Sequence, residues 1–186
     1  MKFFETSKYF SLKKSTYINL RWIGIIGQFV TINAVFFILG FKFNFLLANI
    51  IILVGILSNL YLIYVNQKTQ LSDGPAFLFL LIDILQLSFL LFLTGGITNP
   101  FIIFLIIPSV FSSSNLSFRT NILLVAITTI VIILLSFFHY ELLFPLNEHF
   151  HVSPYYSYSI PIALIIALIF MNYFAINFGT ESRLRK

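Results

Sequence analysis

Residues 93–104 read LTGGITNPFIIF: two glycines, an asparagine and a proline set between two strongly apolar runs. The run before, Ala76 to Thr94, and the run after, Pro100 to Leu116, each approach the roughly 20 apolar residues that cross a bilayer as a helix. The stretch is therefore either a turn within a soluble core or the hairpin between two membrane spans. Composition decides between them. Of 186 residues, 59% are hydrophobic and 9% charged, and the mean hydropathy is +0.99. Soluble domains carry roughly 25% charged residues. So few polar side chains cannot cover a water-facing surface, and the solvent must be largely lipid. Abundant aromatics, 24 Phe and 9 Tyr, suit lipid-facing and interfacial positions.

Four further runs have the same character: Asn19 to Gly40, Asn44 to Val65, Asn121 to His139 and Ser159 to Phe178. The expected fold is all-α, an integral membrane protein built as a bundle of six transmembrane helices. Polar gaps separate the runs (FKFN, NQKTQLSDGP, GGITNP, SNLSFRTN and YELLFPLNEHFHVSPYYS), and Pro108 and the SSSN run interrupt the fourth. Residues 1–18 read as a basic N-terminal segment, 19–178 as the membrane domain and 179–186 as the start of a linker. No small-residue cleavage pattern follows the first span, so it reads as retained.

Charge sets the expected topology. Lys2, Lys8, Lys13, Lys14 and Arg21, then Lys68, Arg119, Arg183, Arg185 and Lys186, all fall on one face if six helices alternate. Only Lys42 falls on the other. Cytoplasmic loops carry the Lys and Arg excess, which makes both termini cytoplasmic. The net charge of +5 is read through this bias, and no nucleic acid is expected as a partner. The absence of cysteine excludes thiol switches, disulfides and thiolate metal sites. His139, His149, His151 and Glu141 gather in or beside the fifth loop, but zinc needs three or four converging ligands. A wet interfacial loop is expected there, and no metal.

Polar residues inside spans are costly in lipid and face a bundle interior, a cavity or a partner. Asp83 is the only acidic one. Gln86 and Thr94 share its helical face, as interhelical glue or as the wall of a small-molecule cavity. On the first span Arg21, Gly24, Gln28 and Thr31 form a second stripe. Gly24 and Gly27 are expected to admit a close helix contact, with Gln28 bonding across it and Arg21 snorkelling to the interface. Two more small-residue faces are expected to form seams: Ala48, Gly55 and Asn59 on the second span, and Ala163, Ala167 and Met171 on the sixth.

The quoted stretch has a structural reading and a functional one. Gly95 and Gly96 can take positive φ and end a helix, Asn99 can cap the next helix, and Pro100 fits its first position. The same geometry makes a candidate site. Helix-start N–H groups lack intrahelical partners, Thr98 and Asn99 add side-chain donors, and Phe101 offers a ring for stacking. A quinone, or another acceptor-bearing amphiphile, matches these features.

Gly95, Gly96, Asn99, Pro100 and Phe101 together resemble the GGxxNPF motif of the RegB/PrrB family of redox-responsive sensor histidine kinases. LRWIGIIGQ, DILQLSFLLFLTGGITNPF and LIIPSVFSSSNLS are similar to that family's first, third and fourth spans, so the likeness covers most of the chain. The resemblance implies a sensor domain in the bacterial inner (cytoplasmic) membrane that binds ubiquinone at Gly95, Gly96, Thr98, Asn99, Pro100 and Phe101. Asp83, Gln86 and Thr94 would supply a supporting polar face. It further implies a homodimer working with a cytoplasmic kinase module and a response regulator. A kinase glycine-rich box, a cytoplasmic phospho-acceptor His and the family's redox-active Cys are absent, so the chain is expected to be the sensor part and not itself an enzyme. The competing expectation is a small substrate-binding membrane subunit of an uptake transporter.

Overall fold

The computed structural model describes residues 11–65, 70–142 and 154–184. Helix α1 is Lys14–Phe37, α2 Phe45–Val65, α3 Asp73–Leu93, α4 Ile106–Asn115, α5 Phe118–Phe137 and α6 Pro154–Leu184. Two 3₁₀ segments, Gly96–Thr98 and Pro100–Leu105, lie between α3 and α4. A short antiparallel ribbon, β1 (Ser11–Lys13) with β2 (Gln70–Ser72), pairs Leu12 with Leu71. It was not expected from the sequence, and it ties the start of α1 to the start of α3.

Five helices among the described residues are long and apolar enough to cross a membrane; Pro100–Asn115 is the shorter sixth. Pro108 explains its form. Proline has no N–H to return to the carbonyl of Phe104 and its ring crowds that carbonyl, so the chain before it tightens to 3₁₀. The looser rise compensates: six residues at about 2.0 Å and ten at about 1.5 Å give roughly 27 Å, close to the ~30 Å of hydrocarbon.

α3 occupies the middle. The α1–α2 hairpin packs on one side of it, and α4, α5 and α6 pack together on the other. α3 and α5 run in the same direction. At their N-terminal ends the Asp73 carboxylate accepts from the Ser117 N–H (2.8 Å), the Ser117 hydroxyl (2.7 Å) and the Thr120 hydroxyl. At the other end the Tyr140 N–H donates to the Phe92 carbonyl (2.8 Å).

Lipid tails are as apolar as leucine, so burial of leucines alone gives little reason for one helix arrangement over another. Close packing and polar contacts choose it. One polar cluster joins the last three helices: Asn121 Nδ2 donates to Asn172 Oδ1 (2.9 Å), Ser112 Oγ (2.8 Å) and the Ser109 carbonyl (3.0 Å). This sets the rotation of α6. Leu164, Leu168 and Asn172 are buried, whereas Ala163 and Met171 of the expected seam are exposed. On α2 the expected seam is present: Ala48 and Asn59 are fully buried, and Gly55 lies against the Gln86 amide, which a Cβ would approach to 3.1 Å.

α1 departs most from expectation. Gly24 and Gly27 are exposed, and a Cβ on either would meet nothing within 4 Å. They form no helix seam and instead border open space.

Candidate functional site

The turn after α3 is built by capping. Gly95 has φ 102° and Gly96 φ 53°, the left-handed region that glycine enters without a Cβ penalty. Asn99 Oδ1 accepts from the Phe101 N–H (2.9 Å), with Pro100 at the first helical position. The capping expected at Gly95, Gly96, Asn99 and Pro100 is present.

The donors assigned to this turn are engaged within it. Asn99 Nδ2 donates to the Thr94 carbonyl and to Thr94 Oγ1, both at 2.9 Å. The Thr98 hydroxyl donates to the Gly95 carbonyl at 2.8 Å. The Ile102 N–H reaches the Asn99 carbonyl at 3.0 Å. A two-glycine reversal exposes many backbone groups in a small volume, and the neighbouring polar side chains satisfy them. Beside these bonds the turn carries a ring pair: Phe101 and Phe104 stack with centroids 5.9 Å apart and planes inclined 21°.

Between α1 and the fourth span, floored by α3, lies a cleft of about 1220 Å³. Ligand pockets usually measure about 300–1,000 Å³, so this one has room for a ring and part of a chain. Its rim includes exposed Ile23, Phe101 and Phe104, which opens it to the flank of the bundle. Arg21, Gly24, Gln28 and Thr31 line one wall, Asp83, Gln86 and Thr94 line the floor, and Thr98, Asn99, Pro100 and Phe101 line the end at the turn. The two polar stripes noted in the sequence thus face one space.

The far end is closed by an ion pair between a buried arginine and a half-buried aspartate. Arg21 Nε and Nη2 both lie 2.8 Å from Asp83 Oδ1. The Tyr17 hydroxyl donates to Asp83 Oδ2, and Arg21 also reaches Ser58 and Asn59. The guanidinium lies 5.6 Å from the ring centroids of both Tyr17 and Phe79, within reach of cation–π attraction. Tyr17 in turn stacks on Phe111 of α4 across the cleft, with centroids 6.0 Å apart. Arg21 therefore does not snorkel. α1 starts at Lys14, which sets Arg21 two turns inside the helix, and Asp83 supplies a counter-charge in the bundle. Midway along the cleft Gln86 Nε2 donates to Gln28 Oε1 at 2.7 Å, the cross-helix bond expected of Gln28. Asp83 and Thr94 are eleven residues apart on α3, so the polar ends of the cleft stand about 16 Å apart.

Two residues at the turn were not singled out from sequence as site residues. His139, just past α5, lines the cleft beside Gly96, and Tyr140 straps the chain back onto α3. His149 and His151 lie outside the described residues.

The family of PilS-like transmembrane domains matches residues 20–184. The chain belongs to this family. It is also similar to the sensor histidine kinase RegB of Cereibacter sphaeroides, 30% identical over 169 residues that make up 90% of this chain and 37% of RegB. The chain thus spans little more than a third of that relative. No solved structure matches it. The likeness to a sensor-kinase membrane domain therefore holds over most of the chain, and the chain is a multi-pass protein of the bacterial inner membrane. Nothing in these comparisons favours an uptake-transporter subunit.

Proposed function

We propose that this membrane domain is the input part of a sensor histidine kinase and that it reads the quinone pool through the lateral cleft. The cleft is the observation that carries this reading. It opens to lipid, where a quinone tail resides, ends at a polar turn with a stacked ring pair, and is larger than a head group alone requires. The likeness to a sensor kinase supports the signalling role. Both termini would be cytoplasmic, the turn would lie on the outer side, and the chain would act as a homodimer with a kinase module and a response regulator.

Occupancy acts on the distance between α1 and the fourth span. The fourth span packs on α6, and the Asn121–Asn172 bond couples α5 to the same helix. A ligand that favours one spacing thereby biases α6, to the extent that its affinity differs between the two arrangements.

Photolabelling tests the site. An azido-ubiquinone analogue, applied to the purified chain in nanodiscs, is expected to label the α1 wall near Gln28 and Thr31 and the segment Pro100–Leu105. Excess ubiquinone should suppress the labelling, and Phe101→Ala with Phe104→Ala should reduce it several-fold. Labelling confined to α2 or α6, or indifferent to excess ubiquinone, contradicts the assignment.

A further inference from the structure

We propose that Gln28 is the ligand's polar anchor midway along the cleft, its Nε2 donating a hydrogen bond to a head-group carbonyl held between α1 and the fourth span. This rests on the reading of the cleft as a quinone site and adds where in it the head group sits.

Gln28 is held by one end of its amide. Its Oε1 accepts from Gln86 Nε2 at 2.7 Å, a bond from the floor of the cleft to its α1 wall. Gln86 is itself fixed: it is buried, and its amide lies so close to Gly55 of α2 that a Cβ there would approach it to 3.1 Å. Two primary amides face to face have the groups to exchange two N–H to O bonds, and this pair makes one. Among the described residues Gln28 Nε2 has no partner, since the hydrogen bond of this side chain runs through Oε1. Among the same residues no buried side-chain nitrogen or oxygen lacks a partner, so this nitrogen lies on accessible surface. An amide anchored to α3 through its oxygen keeps the adjoining nitrogen on the side of the cleft that Gln28 lines, away from the lipid face of α1.

The other amide donors of the cleft are spent. Asn99 gives its Nδ2 to Thr94, and Gln86 turns its Nε2 to Gln28. The Arg21 guanidinium is taken up by Asp83, Ser58 and Asn59. An unspent N–H in a mostly apolar space is costly until an acceptor arrives, and a quinone carbonyl is such an acceptor. The opposite wall supplies a ring at a similar depth. Gln86 lies eight residues before Thr94, about 12 Å along α3 from the turn. Phe104 lies four residues past Pro100 on the 3₁₀ segment, about 8 Å inward from the same turn. Phe104 lines the cleft and is half exposed. A flat head group stacked on Phe104 brings a carbonyl level with Gln28, and its tail leaves by the rim at Ile23.

The test uses a short-tailed ubiquinone carrying carbon-13 in its carbonyl groups, bound to the purified chain in nanodiscs. In the wild type one carbonyl stretch is expected at lower wavenumber than in protein-free nanodiscs, the mark of an accepted hydrogen bond. Gln28→Met should return that band to its free position and weaken binding about tenfold, the effect of one lost hydrogen bond. Gln86→Met breaks the same interhelical bond but keeps the donor. It should retain the shifted band and weaken binding only about two- to threefold, through poorer preorganisation of Gln28. A merely structural role for the amide pair predicts equal losses in the two variants. Equal losses, wild-type affinity in Gln28→Met, or a shifted band that survives Gln28→Met overturns the assignment to Gln28 alone. Failure of ubiquinone to bind the wild-type chain overturns the quinone reading, and this inference with it.

Discussion

Asp83→Leu is expected to destabilise the bundle by about 3 kcal/mol, because it leaves the buried Arg21 guanidinium without its counter-charge. Arg21 is only 6% exposed. Without Asp83 its guanidinium would keep Ser58 and Asn59 as partners, neither of them charged, and Tyr17 would lose the acceptor for its hydroxyl. Arg21→Met should cost less, since the carboxylate it leaves without a cation is half-buried and keeps the Tyr17 hydroxyl. The double variant Arg21→Met/Asp83→Leu should cost far less than the sum, because a matched apolar pair needs no compensation in this setting. Unfolding of the purified chain in mixed dodecylmaltoside and SDS micelles gives the cycle. Additive losses would show that the two side chains are stabilised independently.

Gly96→Ala is expected to cost about 2–5 kcal/mol, from two sources. An alanine at φ 53° sits in a region costing of order 1 kcal/mol or more for a residue with a Cβ. That Cβ would also overlap His139 Cβ and Cγ, atoms close to the backbone that cannot swing aside, and overpacking adds about 1–3 kcal/mol. Gly95→Ala isolates the first source. Its φ of 102° is strained, but its Cβ would meet Thr98 Oγ1 only at 3.3 Å. The same unfolding titration should rank Gly96→Ala as clearly the more damaging. Equal losses would mean that the close approach to His139 contributes nothing.

The spans and the capped turn were legible because their signals are local. Apolar length gives a helix its place in the membrane, and glycine, asparagine and proline mark its ends within a few residues. The ion pair was only half legible. Asp83, the one acidic residue inside a span, pointed to a bundle interior, a cavity or a partner, but Arg21 lies 62 residues away and looked like an interfacial cation. The span boundary set at Asn19 concealed that α1 begins at Lys14. Small residues misled for a different reason. A glycine stripe permits close packing and equally borders a void, and no periodicity separates the two: Gly55 does the first, Gly24 and Gly27 the second. On α6 the alanine spacing masked Asn172, whose bond to Asn121 fixes the buried face. Asp73 looked like loop polarity, although it binds Ser117 at 44 residues' separation. At the candidate site the residue types were legible, but the use of their protons was not. Only the folded turn shows that Asn99 and Thr98 spend their side-chain donors internally.

Filling the cleft tests its role most directly. Thr31 lines its wall, and Gly27, one turn below, has nothing within 4 Å of an added Cβ. Thr31→Trp and Gly27→Trp each direct an indole into the cleft, and at Gly27 the added Cβ itself meets nothing within 4 Å. The binding of ubiquinone and ubiquinol to these variants in nanodiscs, measured alongside their unfolding midpoints, is the decisive comparison. The account predicts that binding is lost while the midpoints stay at the wild-type value. Wild-type affinity in both tryptophan variants would contradict it.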